Sequence, residues 1–176
     1  MAKNIFGGGS ATNKNGLKFE QETQLKDALI NNDFTIKNDI YVYNKKNECI
    51  GLLLQKGNLY SKFLSPKGVE WEKIISKKLL PDDSFFLYSN STLYIIEKKF
   101  QNTSGSVDEK LQTCDFKKKQ YNKLIKSLNS EYNVEYIYVL SDWFKKDSYR
   151  DVLDYITSVG CHYYFNEIPL NKLNLL

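Results

Sequence analysis

The sequence predicts an α/β domain of the α+β type, in which helices flank a mixed central β-sheet. The chain has 176 residues, of which 41% are hydrophobic, so one domain can bury a core of its own. Segments with strand character first follow one another as hairpins and then alternate with helical segments. This order favours antiparallel pairing early in the chain and a parallel strand after a crossover helix.

The first half of the chain begins, after its N-terminal residues, with one helix over residues 17–31, where apolar side chains recur at helical spacing. Strands are predicted at 34–43 and 49–55, joined by an Asn- and Lys-rich turn. Residues 58–64 are a candidate third strand. A short helix is expected over 69–79, because its apolar residues fall on one side and Pro81 follows it.

The second half is predicted to start with a hairpin of strands 84–88 and 93–100 around the turn Ser89-Asn90-Ser91. Ser106 and Glu109 have the spacing of a capping box, so a long helix should begin there and continue to about residue 128. A strand at 134–140, a helix at 147–159 that ends at Gly160 and a last strand at 161–165 complete the order.

The N-terminal residues 1–15 contain Gly7-Gly8-Gly9-Ser10, and we interpret them as a flexible Gly-rich arm before a single domain at 16–176. The tetrapeptide also resembles an engineered linker. It does not match the phosphate-binding pattern GxxxxGK[ST], and no strand precedes it, so no nucleotide cofactor is expected.

The composition limits which classes of partner, metal site and cellular location are expected. The chain has 25 basic and 21 acidic residues, a net charge of +4 that permits a phosphate-rich partner. No apolar run approaches the roughly 20 residues that a membrane helix needs, and the N-terminus lacks a secretory signal core. The three cysteines are widely spaced and there is one histidine, so we expect reduced thiols, no structural zinc and a cytoplasmic location.

The chemically informative stretch is Pro81-Asp82, followed after fourteen residues by Glu97-Lys98-Lys99. Side chains alternate along a strand, so Glu97 and Lys99 should share one face, and Asp82 arrives from the preceding strand. Two acids beside a lysine can hold a divalent cation and orient a water molecule. Asp83 competes with Asp82, but neighbouring side chains diverge, so only one of them can face Glu97.

This pattern resembles the PD-(D/E)xK nucleases and, within that superfamily, the type II restriction endonucleases. The likeness covers residues 16–141 in element order and favours Asp82 over Asp83, because Pro81-Asp82 matches the motif. It implies a restriction-endonuclease-like core and a Mg²⁺ cofactor that Mn²⁺ can replace. It also implies cleavage of double-stranded DNA at a short specific site with 5′-phosphate products, a homodimer and a prokaryotic cytoplasm.

The resemblance assigns roles to individual residues. It makes Asp82, Glu97 and the backbone carbonyl of Lys98 the metal ligands, and it places Lys99 beside the attacking water and the phosphate. Glu20 on the first helix corresponds to a glutamate that some members bring to the metal, or else it is a surface acid. The Lys98 side chain should point away from Glu97 into solvent.

Several polar residues are candidates for contacting DNA, through phosphates or, for the single arginine, through a guanine edge. An ordinary role is open for each of them: a strand-end amide, the solvent face of a lysine-rich helix, or a surface ion pair from Arg150 to Asp147 or Asp154. The candidates are Gln101, Lys110, Lys117, Lys146 and Arg150.

Other functions fit the same pattern. A structure-selective repair or recombination nuclease, such as a Holliday-junction resolvase, would use the same acids and lysine. A DNA-binding module could keep the fold without catalysis. An interaction protein could carry these residues as a solvated charged strand end, in which case salt-sensitive DNA binding would be missing.

Overall fold

The computed structural model describes residues 8–102 and 107–176 of the chain. The strands are β1 Thr35–Lys37, β2 Tyr41–Tyr43, β3 Cys49–Leu53, β4 Asp83–Leu87, β5 Thr92–Lys99, β6 Asn133–Leu140 and β7 His162–Phe165. The α-helices are α1 Gly8–Glu22, α2 Leu25–Asn31, α3 Val107–Leu111, α4 Cys114–Lys126 and α5 Arg150–Ser158. None of the helices in the described ranges is long and apolar enough to cross a membrane.

The seven strands form one sheet in which spatial order follows chain order. Neighbours from β1 to β5 are antiparallel, whereas β5, β6 and β7 are parallel. Each parallel connection contains helix, because a parallel strand needs a crossover: α3 and α4 lie between β5 and β6, and α5 lies between β6 and β7. The predicted mixed sheet with flanking helices is therefore confirmed.

The sheet is covered on both faces. Along β5, Leu93 and Ile95 join a core that includes the buried side of α4, while Tyr94 and Ile96 join a second core with α2 and the end of α1. This alternation is the period of two expected for a strand buried on both faces. It decides which face each charged residue at the end of β5 will occupy.

Close packing at the centre of the sheet depends on Gly51 in β3. A Cβ atom placed there would lie 2.3 Å from the carbonyl oxygen of Phe86 and 2.7 Å from the Phe85 ring. Any side chain at this position would therefore push β3 away from β4 and disturb the strand that leads to the candidate site.

Three segments differ from the predicted elements. The predicted strand 34–43 is a hairpin, because Asn38 and Asp39 take left-handed backbone conformations and turn the chain between β1 and β2. The candidate strand 58–64 is a helical turn, Leu59–Leu64, whose buried residues recur at helical spacing. Within 69–79 only Trp71–Lys73 is helical, and the hydroxyl of Tyr60 accepts the backbone N–H of Leu79.

Two predicted helices are each divided. In the first, Thr23 Oγ1 donates to the Phe19 carbonyl at 2.7 Å and the chain turns before α2. In the second, Thr113 separates α3 from α4, and the capping serine Ser106 lies outside the described residues. Helix α1 begins at Gly8, before the predicted start, because propagation adds a hydrogen bond per residue once a helix has formed. Of the expected arm, residues 1–7 lie outside the described part.

Candidate active site

The β4–β5 hairpin brings Asp82 and Glu97 together. Asp83 pairs with Ile96 in this hairpin, so Asp82, one residue before β4, stands opposite Glu97 on the neighbouring strand. Directly opposed residues of an antiparallel pair have neighbouring side chains. The backbone N–H of Lys98 donates to Asp82 Oδ2 at 2.7 Å and fixes that carboxylate at the end of the strand.

Lys99 lies between the two acids, as its place two residues after Glu97 predicts. Its Nζ is 3.0 Å from Glu97 Oε2 and 3.9 Å from Asp82 Oδ2, and it donates to the Lys98 carbonyl at 3.1 Å. The Glu97 side chain is 8% exposed and that of Asp82 is 26% exposed. One lysine therefore reaches both carboxylates in a partly dehydrated site that opens to solvent on the Asp82 side.

Helix α4 adds a second cation. Lys117 Nζ is 3.4 Å from Glu97 Oε2, so the site contains two lysines around one buried glutamate. From the sequence, Lys117 is expected either to contact a DNA phosphate or to lie on the solvent face of this lysine-rich helix. A signal for its position existed, because Lys117 and the apolar-stripe residue Tyr121 are four apart and such pairs share a helix face. Lys119, by contrast, pairs with Asp115 on the exposed face.

Tyr121 lines the buried side of the site. It is fully buried, and no hydrogen-bond partner for its hydroxyl is found in the described part of the chain. Burial raises the pKa of Tyr121 well above its usual range, and the charges of Glu97 and Asp82 raise it further. The phenol therefore stays protonated and neutral.

Asp83 and Lys98 occupy the opposite face of the sheet. Lys98 Nζ lies 2.7 Å from Asp83 Oδ2 and donates to the Glu20 carbonyl at 3.0 Å. Asp83 also accepts the Leu25 N–H at 3.1 Å and a bond from the Gln55 amide. The expectation of a solvated Lys98 side chain is wrong, because the second core and helix α1 cover that face.

Glu20 is near the site but not within the acid pair. It lines a pocket of about 260 Å³ together with Asp82, on the side of α1. Its backbone carbonyl binds Lys98, whereas the structure gives no contact between its carboxylate and either Asp82 or Glu97. Helix α1 thus lies next to Asp82, while a role for the Glu20 carboxylate at a metal stays a prediction.

The other DNA-contact candidates have different surroundings. Gln101 is 4% exposed, and its amide has no hydrogen-bond partner among the residues described, so it must turn outward to meet a phosphate. Lys110 is exposed on α3. Lys146 stacks over the Trp143 ring at 3.0 Å, and exposed Arg150 forms ion pairs. Of the two partners proposed for Arg150 from the sequence, Asp147 and Asp154, it contacts Asp147, and its second contact is Asp151.

The donor set suits a hard divalent cation. Within residues 8–102 and 107–176, no group of three or more His, Cys, Asp or Glu side chains could hold a metal ion. Mg²⁺ does not require such a cage, because it keeps several waters and binds through one or two carboxylates and substrate phosphates. Asp82, Glu97 and the Lys98 carbonyl are all-oxygen donors, so the residues present fit Mg²⁺.

Comparisons of this chain with protein-family models, with curated proteins and with solved structures gave no match.

Proposed function

We propose that this chain is a Mg²⁺-dependent endonuclease that hydrolyses phosphodiester bonds of double-stranded DNA, with a restriction-endonuclease-like core. The observation that carries the proposal is the convergence of Asp82, Glu97 and Lys99 at the end of one hairpin, with Lys99 Nζ within 3.9 Å of both acids. The crossover through α4 to the parallel strand β6 agrees with that core.

Asp82, Glu97 and the Lys98 carbonyl would hold the cation, which when bound supplies a Lewis acid and a water of lowered pKa. Lys99 is placed to orient the attacking water and to stabilise the charge that develops on the phosphate. The Lys98 N–H keeps Asp82 pointed at the site. Expulsion of the 3′-oxygen leaves a 5′-phosphate.

Lys117 supports the proposal as a second positive group. Its contact with Glu97 keeps a cation close to where a phosphate would bind, in a site that is partly shielded from bulk water. A fixed charge in such surroundings stabilises a developing negative charge more than it would in water. Lys99 and Lys117 together offset the two carboxylates, so an anionic DNA strand can approach.

The proposal extends to assembly. The described part of the chain contains one such site, and a duplex has two strands related by local two-fold symmetry. Cutting both strands in one encounter therefore requires a homodimer on DNA, at a short and nearly palindromic site. Lys146 and Arg150 follow the end of β6, where Leu140 pairs with Lys99, and this position suits them to groove contacts. Such an enzyme would act in a prokaryotic cytoplasm, and Mn²⁺ would replace Mg²⁺.

The substrate class is tested by incubating purified protein with a supercoiled plasmid and, separately, with a four-way DNA junction, in Mg²⁺ or in EDTA. Sequencing of the product ends then locates the cuts. Defined cuts in plasmid duplex that need Mg²⁺ support the proposal.

Cleavage of the junction alone would replace it with a structure-selective nuclease. Salt-sensitive DNA binding without cutting would indicate a non-catalytic module. Absence of both would end the nucleic-acid interpretation.

A further inference from the structure

The pocket between α1 and the candidate active site has a composition that the cleavage chemistry does not use. It has a volume of about 260 Å³, and Asp82 is one of the residues that line it. The remaining lining is mostly amide and cationic: Leu17, Glu20, Gln21, Gln24, Gln55, Lys56 and Lys98. Gln55 and Lys98 already donate to Asp83, whereas no side-chain hydrogen bond or ion pair is found among the described residues for Gln21, Gln24 and Lys56. These three side chains can therefore donate to an anion that lies next to the site.

Lys56 is held in this wall by an unusual backbone. It has a φ of 48°, in the left-handed region that side-chain-bearing residues other than Asn and Asp rarely adopt. Its N–H donates to the Pro81 carbonyl at 3.0 Å, directly before Asp82. Backbone strain of this kind persists where the surrounding structure imposes it, and it concentrates at functional sites.

The charge of Lys56 is also not neutralised by an ion pair within the described part of the chain. Lys98, the other cation of the pocket, is paired with Asp83, and Lys99 is paired with Glu97. For Lys56, by contrast, the described residues provide no ion-pair partner, and its side chain is exposed. A cation without a carboxylate partner, in a pocket that Glu20 and Asp82 also line, is suited to attract a phosphate to a place where the two acids alone would repel it.

We propose that this pocket binds a DNA phosphate that flanks the scissile one, and that Lys56 is its cationic contact. The inference rests on the proposed function and names a substrate subsite for it. The DNA strand would then run from Lys56, past Asp82 and Glu97, to Lys117 on α4. Each end of the site would contribute a lysine, and the metal-binding acids would lie between them.

The test uses variants that suit the left-handed backbone, so that the fold is preserved while the charge is removed. Lys56→Gly and Lys56→Asn are neutral and tolerate positive φ. Lys56→Arg keeps the charge. Lys62→Ala is the control, since Lys62 is an exposed lysine on the Leu59–Leu64 turn, outside the pocket.

Binding to duplex DNA is measured by fluorescence anisotropy in Ca²⁺ over a range of salt concentrations, with thermal melts to confirm folding. Both neutral variants should bind more weakly and lower the slope of log K against log salt by about 1, the loss of one phosphate contact. Lys56→Arg and Lys62→Ala should keep the wild-type slope.

If both neutral variants fold and keep the wild-type slope, the subsite proposal is wrong. The endonuclease proposal would still hold in that case, provided that the wild-type protein binds and cuts DNA. Loss of binding with an unchanged slope would also overturn the subsite proposal, because the effect would then not be a phosphate contact. If the wild-type protein neither binds nor cuts DNA, the proposed function fails first and the subsite fails with it.

Discussion

Lys98 Nζ lies 2.7 Å from Asp83 Oδ2, and both side chains are almost completely buried beneath α1 and α2. The main chain of the same lysine holds Asp82 on the other face of the sheet. Adjacent acids thus have opposite surroundings: Asp82 faces the candidate active site, and Asp83 anchors the α1–α2 junction. Lys98 connects the two arrangements through its backbone and its side chain.

Replacing only one partner of the buried Lys98–Asp83 pair should lower the free energy of unfolding strongly. Lys98→Met leaves Asp83 charged and buried, so we expect a loss of about 3–5 kcal/mol in the free energy of unfolding. The double variant Lys98→Met with Asp83→Leu should lose less than the sum of the single variants. Urea unfolding measures all three, with exposed Lys62→Met as a control within about 0.5 kcal/mol of wild type. Additive losses would show that the pair is not coupled.

Substitutions of the adjacent acids Asp82 and Asp83 should have different effects, the first on cleavage and the second on stability. Asp82→Asn keeps an oxygen for the Lys98 N–H but removes a carboxylate that we propose as a metal ligand. It should therefore fold normally and lose cleavage by more than about 100-fold. Asp83→Asn leaves the Lys98 charge buried without its partner, so it should be less stable yet keep residual cleavage at low temperature. Thermal melts and single-turnover cleavage distinguish them, and the reverse pattern would assign the metal-ligand role to Asp83.

Lys117 should matter for cleavage in a way that its helix neighbour does not. Lys117→Ala removes the cation that lies 3.4 Å from Glu97, so we expect cleavage to fall by about 10- to 100-fold. Lys119→Ala removes an exposed lysine of the same helix that pairs with Asp115 and should cut at the wild-type rate. Equal effects of the two changes would mean that Lys117 acts only through general surface charge.

A pH effect is expected at the opposite end of the parallel strands. A hydrogen bond with His162 and the charge of Lys118 hold the pKa of Glu135 below its ordinary value of 4.5. A lowered pKa stabilises the fold above pH 4.5, and the contribution is lost as pH falls through the lowered value. Glu135→Gln should therefore lose less stability than wild type on acidification. Urea titrations at several pH values test this, and exposed Glu131→Gln should follow wild type.

The sequence predicted the parts of the site that depend on local periodicity. Alternation along β5 placed Glu97 and Lys99 on one face, and the turn at Ser89–Ser91 predicted the hairpin that brings Asp82 opposite them. These features need no knowledge of distant contacts, because the period of a strand is fixed by its backbone.

What could not be predicted depends on tertiary packing. Lys98 looked solvated because nothing near it in sequence indicates that α1 and Asp83 will cover its charge. Lys117 looked like a surface lysine, since its position depends on how α4 packs on the sheet. The segment Leu59–Leu64 looked like a strand because a short apolar run has no unambiguous period.

The most direct test of the central claim compares wild-type protein, Glu97→Gln and the control Glu70→Gln, purified identically, on supercoiled plasmid in Mg²⁺ and in EDTA. Glu97→Gln keeps the shape of the side chain but removes the charge that faces Lys99 and Lys117. We predict Mg²⁺-dependent cleavage by wild type and by Glu70→Gln, and none by folded Glu97→Gln. Cleavage by Glu97→Gln at the wild-type rate, or no cleavage by wild type, would contradict this prediction.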